Sequence, residues 1–144
     1  MVEPVAGPEV MSPLGVGGVL ARARAGAGRC TPQEVVAATR RVSLLVDTRT
    51  ETQRHEQGEL PGALVIDRTV LEWRLDPASA YRIPEATGYD VEIVVVCAQD
   101  YSSSIAAASL RALGLFRAVD LIGGVEAWKA AGLSCHGGPE DVRR

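Results

Sequence analysis

Val91 to Cys97 reads VEIVVVC, a β-branched run with one charge, preceded by Gly88-Tyr89-Asp90 and followed by a polar loop. A strand this apolar has no face to offer water. It belongs at the centre of a sheet covered on both sides, which is the setting of parallel strands. The rest of the chain follows the same scheme. Thr31-Pro32-Gln33-Glu34 is a helix start: Thr31 caps, Pro32 takes the first helical position and Glu34 closes a capping box. That helix is expected to run to about Arg41. Ser43 to Asp47 (SLLVD) and Ala63 to Asp67 (ALVID) read as strands, separated by a helix from Thr50 to Gln57 that ends at Gly58. Ser103 to Leu113 is an alanine-rich helix stopped by Gly114. Ala118 to Ile122 reads as a strand, and Val125 to Ala131 as a short helix closed by Gly132. Pro77, Pro84 and Gly88 make the stretch from Arg68 to Tyr89 irregular. Strands alternating with helices predict a single α/β domain with a mostly parallel sheet.

A chain of 144 residues is long enough to bury a core without staples. With only Trp 2, Tyr 3 and Phe 1, that core must be aliphatic. The three cysteines, Cys30, Cys97 and Cys135, are odd in number and far apart, which argues against a disulfide framework. A net charge of −3 gives no reason to expect nucleic acid as a partner. The apolar run Leu14 to Leu20 is seven residues long, against about 20 for a membrane span, so no membrane partner is expected. Glu3 and Glu9 precede that run, where a secretory leader would carry cations. The expected compartment is a reducing cytoplasm.

Residues 1–28, punctuated by Pro4, Pro8 and Pro13, are expected to form a flexible or partly helical arm, with a short helix over Val19 to Ala27. Arg22, Arg24 and Arg29 could touch an anionic partner, but a solvated face is the plainer reading. The folded domain is expected over 29–134, followed by a frayed tail at 135–144.

In a parallel sheet, ligands bind beyond the carboxyl ends of the strands. Cys97 ends the central strand, and a short loop leads from it into the next helix. Inward N–H groups and a helix N-terminus there favour a nucleophilic thiolate. Position alone suits a small buried hydrophobe equally well.

Four pieces in order resemble the rhodanese family of sulfurtransferases, over about Thr31 to Leu133. They are Leu45-Val46-Asp47-Thr48-Arg49; Gly58-Glu59-Leu60-Pro61-Gly62-Ala63; Val94-Val95-Val96-Cys97 with Ala98-Gln99-Asp100-Tyr101-Ser102-Ser103; and Ile122-Gly123-Gly124-Val125-Glu126-Ala127-Trp128. The resemblance implies a three-layer α/β sandwich and a persulfide mechanism. Cys97 would take sulfane sulfur from a small donor and pass it to a thiol or other nucleophilic acceptor. Loop residues Ala98 to Ser103 would hold the anion, with no metal or organic cofactor. Asp47 and Arg49 match the family's Asp-x-Arg motif as supporting residues. The resemblance is imperfect in the loop: Asp100 stands where Gly is usual, and Ser102 where Arg is usual. This implies weak thiosulfate activity or another donor, and an inward Asp100 would oppose the thiolate. Arg74 is the preferred replacement cation, with Arg68 the other candidate; a surface ion pair with Glu72 or Asp76 is the plainer reading of both. Trp73 and Trp128 read as packing residues. Cys135-His136 lacks the spacing of a metal site. The alternative function is a weak or inactive rhodanese-like module for partner binding or redox sensing. A cysteine-dependent phosphatase ranks last, because the loop has no arginine to capture phosphate.

Overall fold

The computed structural model describes residues 12–41, 43–137 and 140–144; the first part of the expected arm, with Pro4 and Pro8, lies outside them. Among the described residues, five strands form one parallel sheet in the order β4-β3-β1-β2-β5. The strands are β1 (Ser43–Asp47), β2 (Leu64–Val65), β3 (Glu92–Val96), β4 (Ala118–Asp120) and β5 (Asp141–Val142). The helices are α1 (Gly15–Arg24), α2 (Pro32–Thr39), α3 (Glu51–Gln57), α4 (Leu71–Leu75), α5 (Tyr101–Leu113) and α6 (Gly124–Ala130).

β3 sits between β4 and β1, and its side chains alternate between two cores. Ile93 and Val95 pack with Val46, Ile66, Leu71, Leu75 and Leu110, beneath α4 and α5. Val94 and Val96 pack on the opposite face with Leu45, Val35, Leu121, Val125 and Trp128, beneath α2 and α6. Burying each such side chain contributes about 1.5–3 kcal/mol, so the unbroken apolar run of β3 is what both helical layers share. The result is the expected three-layer α/β sandwich.

Local signals account for the helix starts. Thr31 and Glu34 form the capping box of α2 at 3.2 Å in each direction. Thr50 and Gln53 form a second one for α3.

Several elements depart from expectation. The irregular stretch after β2 contains a 3₁₀ turn, Arg68–Val70, and then α4, whose Leu71 and Leu75 are buried one helical turn apart. Trp73, on the other side of α4, is 57% exposed and is no core residue. The arm carries α1 earlier than expected, packed along α5, with Arg111 Nη2 donating to the Ala23 carbonyl at 2.7 Å. The tail is not frayed over Asp141–Val142: it adds β5 to the edge of β2, pairing Leu64 with Asp141 and Val65 with Val142. Trp128 does anchor α6, and its Nε1 donates to the Ser134 carbonyl at 3.1 Å. Among the described residues, no helix is long and apolar enough to cross a membrane.

Candidate functional site

Cys97 follows β3 at the carboxyl edge of the sheet and is 6% exposed. The residues after it are held by the start of α6. Val125 N–H donates to the Cys97 carbonyl at 3.0 Å, and Glu126 N–H to the Ala98 carbonyl at 3.1 Å. This close approach requires glycine at position 124. Its φ is +61°, and a Cβ there would lie 2.1 Å from the Gln99 carbonyl oxygen and 2.5 Å from that of Cys97.

Across the loop, the Cys97 thiol donates to Ser103 Oγ at 3.2 Å. Ser103 is fully buried and belongs to the first turn of α5, where N–H groups have no partner within the helix. The predicted loop residues therefore separate. Ser103 touches the sulfur. Ala98 is tied to α6, and Gln99 Nε2 reaches Glu126 at 3.4 Å. Tyr101 is 60% exposed, and Ser102 is exposed beside it.

Asp100 does turn inward, but it meets cations and an amide. Its carboxylate accepts from Gly123 N–H at 2.9 Å and from Arg29 Nη2 at 2.8 Å, and pairs with Arg24 Nη2 at 3.1 Å. Burial pushes the Asp100 carboxyl up, yet the Arg29 hydrogen bond, the Gly123 amide and the two guanidinium charges outweigh it and hold it below the ordinary carboxylate range. The inward carboxylate is thus already neutralised.

Arg29 also grips Asp120, at 3.0 Å through both Nε and Nη2. Asp120 ends β4, is 3% exposed, and accepts further hydrogen bonds from Ser104 Oγ at 2.8 Å and Ser103 Oγ at 3.3 Å. Arg24 Nε donates to Ser104 Oγ at 3.0 Å. Arg24 and Arg29 are therefore partners of the half-buried Asp100, and Arg29 also of the buried Asp120, rather than a solvated face. The sequence carried a signal for this: two acids, one in the loop and one ending an apolar strand, need cations once buried.

The cation expected from the middle segment is not brought to the loop. Arg74 Nη1 donates to the Tyr81 carbonyl at 2.9 Å, and Arg68 pairs with Glu72 at 2.9 Å. Asp47 and Arg49 form a fully buried ion pair at 2.8 Å at the end of β1. Arg49 also donates to Gln57 Oε1 at 3.3 Å and the Gly58 carbonyl at 2.9 Å, bracing the α3–β2 connection beside β3. Thr48 between them donates N–H and Oγ1 to the Val96 carbonyl.

Cys30 and Cys135 are free thiols, each packed against the α6-side core. Burial pushes both upward, with Glu34 adding to the effect at Cys30 and Arg49 opposing it at Cys135. Burial thus disfavours the thiolate form at both positions. Among the described residues, no group of three or more His, Cys, Asp or Glu is placed to hold a metal.

Comparison with known proteins agrees with this geometry. The structure superposes on a Rhodopseudomonas palustris protein of unknown function, described as a possible tyrosine phosphatase, with a TM-score of 0.76 and 25% identity over 94% of this chain and 98% of that one. A human single-domain sulfurtransferase superposes at 0.61 with 26% identity, covering 73% of this chain and 97% of that one. A Pseudomonas aeruginosa thiosulfate sulfurtransferase gives 0.64 at 23% identity, over 81% of this chain and 21% of that one, a likeness of fold alone. The comparison with curated proteins finds no match. The sequence model of the rhodanese-like domain matches residues 31–131, from the α2 cap through α6. The matched segment thus includes β3 and the Cys97 that follows it, and the chain belongs to the rhodanese-like domain family.

Proposed function

We propose that the protein is a sulfurtransferase in which Cys97 carries sulfane sulfur as a persulfide. The observation that supports this best is the Cys97 sulfur at the carboxyl edge of the sheet, 3.2 Å from Ser103 Oγ in the first turn of α5. In the first step the thiolate attacks the outer sulfur of a donor. A Cys97 S–S bond forms, the donor's own bond to that sulfur breaks, and the leaving group departs with the electron pair. The terminal sulfur then carries the negative charge, which the Ser103 hydroxyl and the first-turn amides of α5 would stabilise. In the second step an acceptor thiolate attacks the terminal sulfur, and Cys97 leaves as the thiolate. Sulfane sulfur and charge are passed on without an oxidant, a metal or an organic cofactor.

The donor follows from the charges. Arg24 and Arg29 are each paired with carboxylates, so neither guanidinium is free to receive a small dianion. We therefore assign inorganic polysulfide or an organic persulfide as the preferred donor over thiosulfate, and a thiol as acceptor. A reducing compartment suits a site that must stay a thiol between turnovers.

Sulfur transfer from polysulfide to dithiothreitol, read as released hydrogen sulfide, tests this reading. Transfer is expected with the wild-type chain and not with C97S; equal rates with both would overturn it. The phosphatase description of the Rhodopseudomonas palustris relative gives a second reading. The pairing of both nearby arginines disfavours it, because phosphate capture needs an unpaired cation. Hydrolysis of an aryl phosphate is expected to be no faster than in buffer.

A further inference from the structure

The loop from Ala98 to Ser103 carries no cation of its own, while Arg29 stands two residues before the segment that the family matches. We infer that Arg29 is a positioning residue for the chemistry at Cys97, supplied from outside the family segment and acting through Asp120 and Ser103. The inference rests on the sulfur-carrying reading of Cys97.

A serine hydroxyl holds one proton, and Ser103 has two claimants for it. While Cys97 is a thiol, its S–H donates to Ser103 Oγ, and the Ser103 proton goes to Asp120 Oδ2. When the thiol loses its proton to solvent, the sulfur becomes an acceptor, and the nearest donor is the same hydroxyl, which must turn away from Asp120. The cost of that turn depends on what Asp120 keeps. With Arg29 in place it keeps two N–H donors from the guanidinium and the Ser104 hydroxyl, and loses its longest hydrogen bond. Without Arg29 the buried carboxylate keeps Ser104 alone. It would then hold the Ser103 proton and leave the sulfur anion without its donor.

The same guanidinium reaches Asp100 Oδ2 at 2.8 Å, and that oxygen also accepts the Gly123 amide. Arg29 therefore ties the loop after β3 to the end of β4 and to the turn before α6. Arg24 reinforces the bracket from α1, donating to the Asp100 carbonyl at 3.1 Å and to Ser104 Oγ at 3.0 Å. Neither arginine contacts the sulfur in these hydrogen bonds, so the effect is transmitted, not direct.

The test measures two rates on the full chain. One is alkylation of Cys97 by iodoacetamide, read on its own peptide by mass spectrometry. The other is sulfur transfer from polysulfide to dithiothreitol. R29A is expected to slow alkylation and the transfer kcat by about tenfold, with KM for polysulfide held. R29K is expected to recover part of the loss, and R22A, an exposed charge on the same arm, to match wild type. The double variant R29A/S103A is expected to be no slower than S103A, because both act through one hydroxyl. Wild-type rates in R29A, or losses that multiply in the double variant, would overturn the inference. Thermal melts check folding, and R29Q carries the same comparison if R29A does not fold. If wild-type transfer is itself absent, the sulfur-carrying reading fails, while the alkylation rates still decide the coupling from Arg29 to Cys97.

Discussion

At the scale of single residues, carboxylates near the Cys97 loop and elsewhere are satisfied by paired cations. Asp100 is held below its ordinary range by Arg29, Gly123 and Arg24 despite its burial, and Glu72 and Glu85 are held low as well: Ser109 and Arg68 outweigh burial at Glu72, and Arg143 dominates at Glu85. A carboxylate lowered by folding stabilises the protein in full above its unfolded value of about 3.9–4.3, and that contribution is lost as pH falls through the lower folded value. Glu59 runs the other way, raised first by burial and then by its hydrogen bond with Glu140. Acid titration followed by near-ultraviolet circular dichroism should therefore show loss of packing below about pH 4, and R29A should shift that transition to higher pH. An unshifted transition would mean that the Asp100 pairing contributes nothing to stability. The Asp47–Arg49 pair belongs to the same scale. Removing one partner leaves an uncompensated buried charge, so R49A should lower unfolding free energy by about 3–5 kcal/mol in urea titration. The places of Cys97, Asp47 and Arg49 at or just beyond strand ends were legible, because strand ends follow from local pattern. Arg29 was not legible as a site residue, because its partners lie 71 and 91 positions away and no local period encodes that pairing.

At the scale of elements, the loop after Cys97 is shaped by α6 as much as by its own residues. G124A should displace the Cys97–Gln99 backbone, since the added Cβ meets two carbonyl oxygens and φ is positive. The expected result is a destabilisation of more than about 1 kcal/mol together with slowed alkylation of Cys97. Unchanged alkylation would show that the loop does not depend on this close approach. Most elements could be read from caps and periodicity, including the α2 capping box and the interior strand β3. The misses have local causes. β2 stops at Val65 because Asp67 turns to cap the following 3₁₀ turn, accepting Thr69 N–H at 2.8 Å. α4 was hidden by its brevity, although the spacing of Leu71 and Leu75 was its signal. α5 begins at Tyr101, two residues early, with the Asp100 side chain taken by Arg29 instead of capping the helix.

At the scale of the whole molecule, the described segment before α2 and the segment after α6 take opposite places. The arm reaches the Cys97 side through Arg24 and Arg29. The tail closes the far edge of the sheet as β5, fixed by Arg143 to Glu85 at 2.7 Å and by Glu140 to Arg54. Deleting residues 140–144 should therefore lower stability by about 1–2 kcal/mol in urea titration while leaving Cys97 alkylation at its wild-type rate. A matching loss of alkylation would show that the far edge supports the site. Neither end could be placed from sequence, since a two-residue strand and a glycine-rich helix carry almost no periodic signal. One measurement addresses the sulfur chemistry proposed for Cys97 directly. The protein is incubated with polysulfide, cleared of excess donor, and digested under non-reducing conditions for mass spectrometry. The account predicts a gain of one sulfur atom on the Cys97 peptide, reversed by dithiothreitol and absent from the Cys30 and Cys135 peptides. No gain on Cys97 with polysulfide or an organic persulfide, or a gain on the other cysteines alone, would contradict it.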